Sequence, residues 1–162
     1  MYVSSAVDSS HDDVGAVNDN NVVANVVRCF TLKFHTNENP MTQKPFSQAC
    51  ENNKTPILSV LKTAFLDVNN VLEIGTGTGQ HAVHFAKHLT HLNWQPSDVA
   101  QHLLAINLWR QEANLSNLKQ PVVLNVMDDV WPVASVDAVF TSNTLHIMGK
   151  QEVIRFFEKL GD

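Results

Sequence analysis

Several common function classes need features that this sequence has little of. Its 162 residues include two cysteines, Cys29 and Cys50, far apart and without a CxxC. That is too few for a disulfide scaffold or a cysteine-built zinc cage, and a reducing, cytoplasmic setting is the expectation. Lys and Arg number 11 against 16 Asp and Glu, a formal net charge of -5. Phosphate-binding surfaces draw their affinity from clustered cations, so duplex nucleic acid is not expected as a partner. No apolar run approaches the roughly 20 residues that cross a bilayer, and no basic segment leading into an apolar one opens the chain. Neither a membrane span nor a secretory signal is expected. What remains, 44% hydrophobic and 17% charged residues, has the balance of one globular domain.

The first 40 residues differ from the rest. They hold Asp8, Asp12, Asp13, Asp19 and Glu38 against Arg28 and Lys33, with many Asn and Ser and no helical apolar period, a composition that favours disorder. Within them, Val26 to Phe34 alternates Phe30, Leu32 and Phe34 with polar neighbours, a short strand signal. A second methionine, Met41, precedes a segment of different character. The division expected is an extension over residues 1–40 and a functional domain over 41–162.

From Thr55 onward, apolar spacing and turn residues alternate. Thr55 as cap, Pro56 at the first helical position, and Ile57, Leu58, Leu61, Ala64 and Phe65 at helical spacing predict a helix over about 56–66. Val71 to Ile74 reads as a buried strand ending at glycines. His81 to Leu89 reads as a helix with Ala82, Val83, Phe85, Ala86 and Leu89 on one side. A strand near 92–95, a helix over about 99–113, strands over 122–126 and 136–141, and a helix over 151–160 follow. This alternation predicts an α/β fold, a parallel sheet with helices on both faces.

Chemistry in such folds gathers at the carboxyl ends of the strands, and the most unusual residues stand there. Gly75-Thr76-Gly77-Thr78-Gly79 follows the first strand directly. Glycines in this turn permit positive φ and a close approach of ligand to backbone, while amides opening the next helix donate to it. The spacing is GxGxG, unlike the GxGxxG of dinucleotide sites, and no lysine-bearing phosphate loop matches.

Glu73-Ile74-Gly75-Thr76-Gly77-Thr78-Gly79 resembles the first motif of class I S-adenosylmethionine-dependent methyltransferases, an acid followed by GxGxG after the first strand. More closely, PFSQACENNKTPILSVL from Pro45, VLEIGTGTGQHAVHFAKHL from Val71, LNWQPSD from Leu92 and SNTLHI from Ser142 resemble the methyltransferase-like protein 26 family, over about Met41 to Leu160. The resemblance implies a Rossmann-like sheet of order 3-2-1-4, S-adenosyl-L-methionine as cofactor and a small-molecule methyl acceptor. It further implies that Gly75, Gly77 and Gly79 lie against the methionine portion, with Glu73 orienting the loop or the amino group. Asp98 would accept hydrogen bonds from both ribose hydroxyls, or else cap the next helix with Ser97. Asp128 would meet the adenine beside Met127 as an apolar wall, or else be a solvated turn acid.

On the acceptor side, Asn143 and His146 follow the fourth strand, and His146 is a candidate general base because imidazole is the side chain type most often used to move a proton near neutral pH. Thr141-Ser142-Asn143-Thr144 departs from the Asn/Asp-Pro-Pro-aromatic tetrad of nucleobase amino methyltransferases. Glu51, Asn52, Asn53 and Lys54, read as preceding the first helix, are expected to form a lid or acceptor wall, or a polar capping loop. His81, His84, His88 and His91 fall opposite the apolar stripe of their helix, so a solvent-facing surface is expected rather than a metal site. Trp94, Trp109 and Trp131 are expected to pack.

A full domain of this class continues after strand four, whereas this sequence stops at Gly161-Asp162. The resemblance therefore implies a C-terminally truncated fold, its last strand an edge open to self-association. A truncated, non-catalytic cofactor-binding or interaction module is the alternative function. A nicotinamide-dependent oxidoreductase is disfavoured by the glycine spacing.

Overall fold

A computed structural model describes residues 44–133 and 135–161. The expected extension over residues 1–40, with its strand signal, lies outside the described residues.

The elements in chain order are α1 (Gln48–Ala64), β1 (Asn70–Ile74), α2 (Gln80–His88), β2 (Asn93–Asp98), a short 3-10 turn (Ala100–His102), α3 (Leu103–Ala113), β3 (Val122–Val123), β4 (Ala138–Phe140), a second 3-10 turn (Leu145–Ile147) and α4 (Lys150–Gly161). The four strands form a parallel sheet of order β3-β2-β1-β4. Val71 and Glu73 of β1 face one side, Leu72 and Ile74 the other, as strand alternation requires. On the first side Val71 joins Ile57, Leu61, Phe65, Phe85, Trp94 and Phe140 beneath α1 and α2. Leu72 and Ile74 on the second side join Leu124, Val139, Phe156 and Leu160 beneath α4. A strand buried on both faces reads as a continuous apolar run, and Glu73 interrupts that run.

Several boundaries differ from expectation. α1 starts at Gln48, not near Pro56: Ser47 is extended and its hydroxyl accepts from the Cys50 amide at 3.4 Å as a cap. Pro56 therefore stands inside a helix, and Glu51, Asn53 and Lys54 sit on that helix rather than in a loop before it. The side chains of Glu51 and Asn53 bond to α2, which holds the turn upstream of the proline in place. The helix expected over 99–113 opens as a 3-10 turn, with Asp98 Oδ1 accepting from the Val99 amide at 2.8 Å.

β3 pairs with β2 only at Ser97 and Asp98, shorter than the strand expected. β2 instead runs through Pro96 to Asp98. The Lys119 amide donates to the Trp94 carbonyl, and the Leu124 amide to that of Asp98. Alternation then puts the missing N–H of Pro96 on the same side, facing the gap between the Trp94–Leu118 bridge and the Ser97–Val122 pair. β4 pairs with β1 through Ala138, Val139 and Phe140.

Candidate functional site

The carboxyl ends of β1, β2 and β4 meet at the glycine turn. The amides of Gly75 and Thr76 both donate to the Ser97 carbonyl, at 3.0 and 3.1 Å. The Ser97 amide donates back to Thr76 Oγ1 at 3.1 Å, and the Ser97 hydroxyl donates to the Glu73 carbonyl at 2.7 Å. From β4, Thr141 donates to the Ile74 carbonyl at 2.9 Å. These buried hydroxyls close the backbone accounting of a turn that has no regular ladder.

All three glycines have positive φ, and each meets different surroundings. A Cβ on Gly75 would lie 2.4 Å from the Thr144 side chain, so this glycine admits the loop that follows β4. One on Gly79 would lie 3.0 Å from the Ile106 backbone, so this glycine admits α3. A Cβ on Gly77 would meet nothing within 4 Å, and the Gly77 amide donates to Asp98 Oδ2 at 2.7 Å.

Asp98 is 8% exposed. Besides Gly77 and Val99 it accepts from His102 Nδ1 at 2.8 Å on Oδ1. It thus caps the turn that follows, but Ser97 does not share that role, since its hydroxyl serves Glu73. Glu73 is 2% exposed, and its Oε2 accepts from Trp94 Nε1 at 2.8 Å. Burial pushes its carboxyl up to about 7, against the pull of the Trp94 hydrogen bond. Its side chain faces the first core, below the turn.

Met127 and Asp128 lie exposed after β3, in a turn where the Met127 amide donates to Asn125 Oδ1 at 2.9 Å and the Asp128 amide to the Asn125 carbonyl at 3.0 Å. Asn143, exposed, takes a left-handed φ of 57. His146 is exposed on the second 3-10 turn. Between them stands Thr144, which sequence reasoning passed over: buried, it donates to the Ser142 carbonyl at 3.0 Å and contacts the Gly75 carbonyl at 3.4 Å. The Ser142 hydroxyl is buried with no hydrogen-bond partner among the described residues.

Gln80, also missed, joins α1 to the turn. Its Oε1 accepts from the Ser47 amide, and its Nε2 donates to the Ser47 carbonyl at 3.3 Å and to Glu51 Oε1 at 3.1 Å. Glu51 pairs with Lys54 as well, which holds its carboxyl below the usual range. The preceding residues are fixed to α3, where Trp109 Nε1 donates to the Pro45 carbonyl at 2.7 Å and Lys44 Nζ lies 3.7 Å from the Trp109 ring centroid.

The histidine face is not uniformly solvated, contrary to expectation. His81 is 4% exposed, and its ring nitrogen Nε2 lies 2.7 Å from Oδ1 of the buried Asn53. Burial lowers His81 to about 4, so the ring is neutral and its Nε2–H is the donor to Asn53. His84 is half-buried and lowered to about 4, again by burial first; His88 and His91 are exposed. The helix period placed His81 opposite the apolar stripe, but α1 covers that end of α2. Trp94 packs with Phe85 and Phe140 as expected. A separate cavity, lined by Asn70, Asn93, Gln95 and Lys119 among others, lies at the amino ends of β1 and β2; Asn70, Asn93 and Gln95 each already have protein hydrogen-bond partners.

The four-stranded parallel sheet and the turn after β1 define a Rossmann-like fold shared with solved methyltransferases. The crystal structure of the S-adenosylmethionine-dependent methyltransferase SibL is 21% identical, with a TM-score of 0.61 over 69% of this chain and 32% of that one. An O-methyltransferase family protein from Burkholderia thailandensis is 17% identical, with a TM-score of 0.54 over 67% of this chain and 33% of that one. The mitomycin 7-O-methyltransferase MmcR is 13% identical, with a TM-score of 0.55 over 67% and 32%. The chain spans about a third of the length of each. By sequence it belongs to the family described as Protein of unknown function (DUF938), whose pattern matches residues 44–162. No helix among the described residues is long and apolar enough to cross a membrane.

Proposed function

We propose that this chain binds S-adenosyl-L-methionine over the carboxyl ends of β1 and β2 and serves methyl transfer to a small-molecule acceptor. The observation that carries the reading is the Gly77–Asp98 pair: a left-handed glycine with open space where a side chain would project, its amide 2.7 Å from a carboxylate at the end of the neighbouring strand. The residues present fit such a group, and the fold and the resemblance to the methyltransferase-like protein 26 family support the same reading.

Bound there, the cofactor supplies a methyl group on a sulfonium sulfur, activated toward nucleophiles. The chain's own part is positioning and the exclusion of water, which account for much of the rate in such transfers. Gly75, Gly77 and Gly79 hold the amino-acid portion, and Glu73 supports the turn from below through Trp94. Asp98 accepts from the ribose hydroxyls. Met127 offers an apolar surface to the adenine, with Asp128 beside it. On the acceptor side Asn143 orients the nucleophile and His146 removes its proton. Glu51 forms part of the wall, and Asn53 positions that wall through His81.

Titration calorimetry of the full chain with S-adenosylmethionine, S-adenosylhomocysteine and NAD tests this. Binding of the first two in preference to NAD, weakened about tenfold or more by Asp98→Asn, is the expected result. Preference for NAD, or indifference to Asp98→Asn, would overturn the reading. A methyl-release assay on the same chain separates an active transferase from a binding module.

A further inference from the structure

A carboxylate offers about four acceptor positions, and three of those on Asp98 are already filled. Gly77 N donates to Oδ2 at 2.7 Å, while Val99 N and His102 Nδ1 each donate to Oδ1 at 2.8 Å. A vicinal diol such as that of ribose brings two donors to one remaining position, so one present partner must leave. Gly77 and Val99 are backbone groups fixed at the turn and the strand end. His102 is a side chain, 49% exposed on a one-turn helix, and is the one partner of the three that side-chain rotation alone can release.

We propose that His102 is a detachable occupant of the diol-binding carboxylate, holding the acceptor position that the second hydroxyl needs and so setting how strongly ribose is preferred over deoxyribose. The proposal rests on the cofactor reading above. A ligand with one ribose hydroxyl uses the open position and leaves His102 in place, whereas a diol ligand works against it. His102 thereby compresses the discrimination that a bare carboxylate would give.

The test is calorimetry of the full chain and of His102→Ala with S-adenosylhomocysteine, adenosine and 2′-deoxyadenosine. Loss of one exposed, charge-assisted hydrogen bond predicts that the variant binds S-adenosylhomocysteine and adenosine about two- to fivefold tighter, with 2′-deoxyadenosine unchanged. A purely structural role for His102 would move all three ligands together. The imidazole proton resonances of His102 provide a second readout and are expected to shift to solvent-exposed values on addition of S-adenosylhomocysteine. Unchanged or weaker adenosine binding in the variant, or an equal gain for 2′-deoxyadenosine, overturns the proposal while leaving the cofactor reading intact. Failure of both proteins to bind S-adenosylhomocysteine at millimolar concentration overturns the cofactor reading, and the role of His102 with it.

Discussion

Gly75→Ala and Gly77→Ala stand two positions apart in one turn, yet the geometry separates them sharply. Both place a methyl group on a left-handed backbone, at φ +73 and +65, which costs about 1–2 kcal/mol for a residue with a Cβ. At Gly77 that is the whole penalty, since the new methyl meets nothing within 4 Å. At Gly75 the methyl lands 2.4 Å from Thr144 Cγ2 and Oγ1 and 3.0 Å from its Cβ. Thr144 is β-branched and buried, so overpacking adds about 1–3 kcal/mol. Urea unfolding, read as midpoint shifts at constant m-value, is therefore expected to rank Gly75→Ala below Gly77→Ala by about 1–3 kcal/mol. Thr144→Ala removes the two closest atoms, so the Gly75→Ala/Thr144→Ala pair is expected to be less destabilised than the sum of its members by about 1 kcal/mol or more. Binding should rank the variants the other way, because the Gly77 methyl enters the space assigned to the cofactor. Equal destabilisation by the two alanines, or strict additivity with Thr144→Ala, would refute this account of the turn.

The buried titratable groups give a second expectation. Glu73 is raised to about 7, so between its ordinary 4.5 and 7 the folded state holds a proton that the unfolded chain has released, and stability falls as pH rises through that window by about 3 kcal/mol. His81 and His84 are both lowered to about 4 from 6.5, so their contributions rise with pH over nearly the same window, that of the half-buried His84 reduced by solvent screening. Glu73 opposes the histidines, so the stability of the wild type is expected to rise from pH 4.5 to 6.5 less steeply than the histidines alone would make it. Glu73→Gln should unmask the histidine slope, with its advantage over wild type growing from pH 5 to pH 8; an advantage that shrinks with pH contradicts the assignment. Third, Gln80→Ala strands the Ser47 amide, while the Ser47 carbonyl keeps the Glu51 amide as donor, at a cost of about 1–3 kcal/mol. Amide exchange over residues 48–52 should accelerate while β1 stays protected, and unchanged exchange there would show that Gln80 does not hold α1.

Much of the fold was legible because apolar period and glycine position agree in β1 and α2, and because a parallel sheet buried on both faces leaves a strong local mark, as the apolar run of β4 does. The start of α1 was not. Pro56 is the strongest local signal for a first helical residue, and what overrides it is tertiary: Gln80 against Ser47 and Glu51, and His81 against Asn53. The same contacts explain His81, whose place opposite the stripe says nothing about a second helix lying over it. At the site, Asp98 and the glycines announce themselves by type and position. Ser97, Thr141 and Thr144, which tie the turn to β2 and β4, are ordinary hydroxyl residues whose role appears only once the strands are side by side. His102 is legible only in part, as a residue four beyond Asp98, since a 3-10 turn and not a regular helix brings its ring onto the carboxylate.

The central claim is that the crevice beside Gly77 and Asp98 receives the nucleoside. Amide chemical-shift mapping of the uniformly 15N-labelled full chain, titrated with S-adenosylhomocysteine, tests it most directly. The largest changes are expected at Gly77, Thr78 and Val99, with loss of the response in Asp98→Asn. Changes confined to the amino ends of the strands, around Asn70, Asn93 and Lys119, or no changes at millimolar ligand, would contradict it.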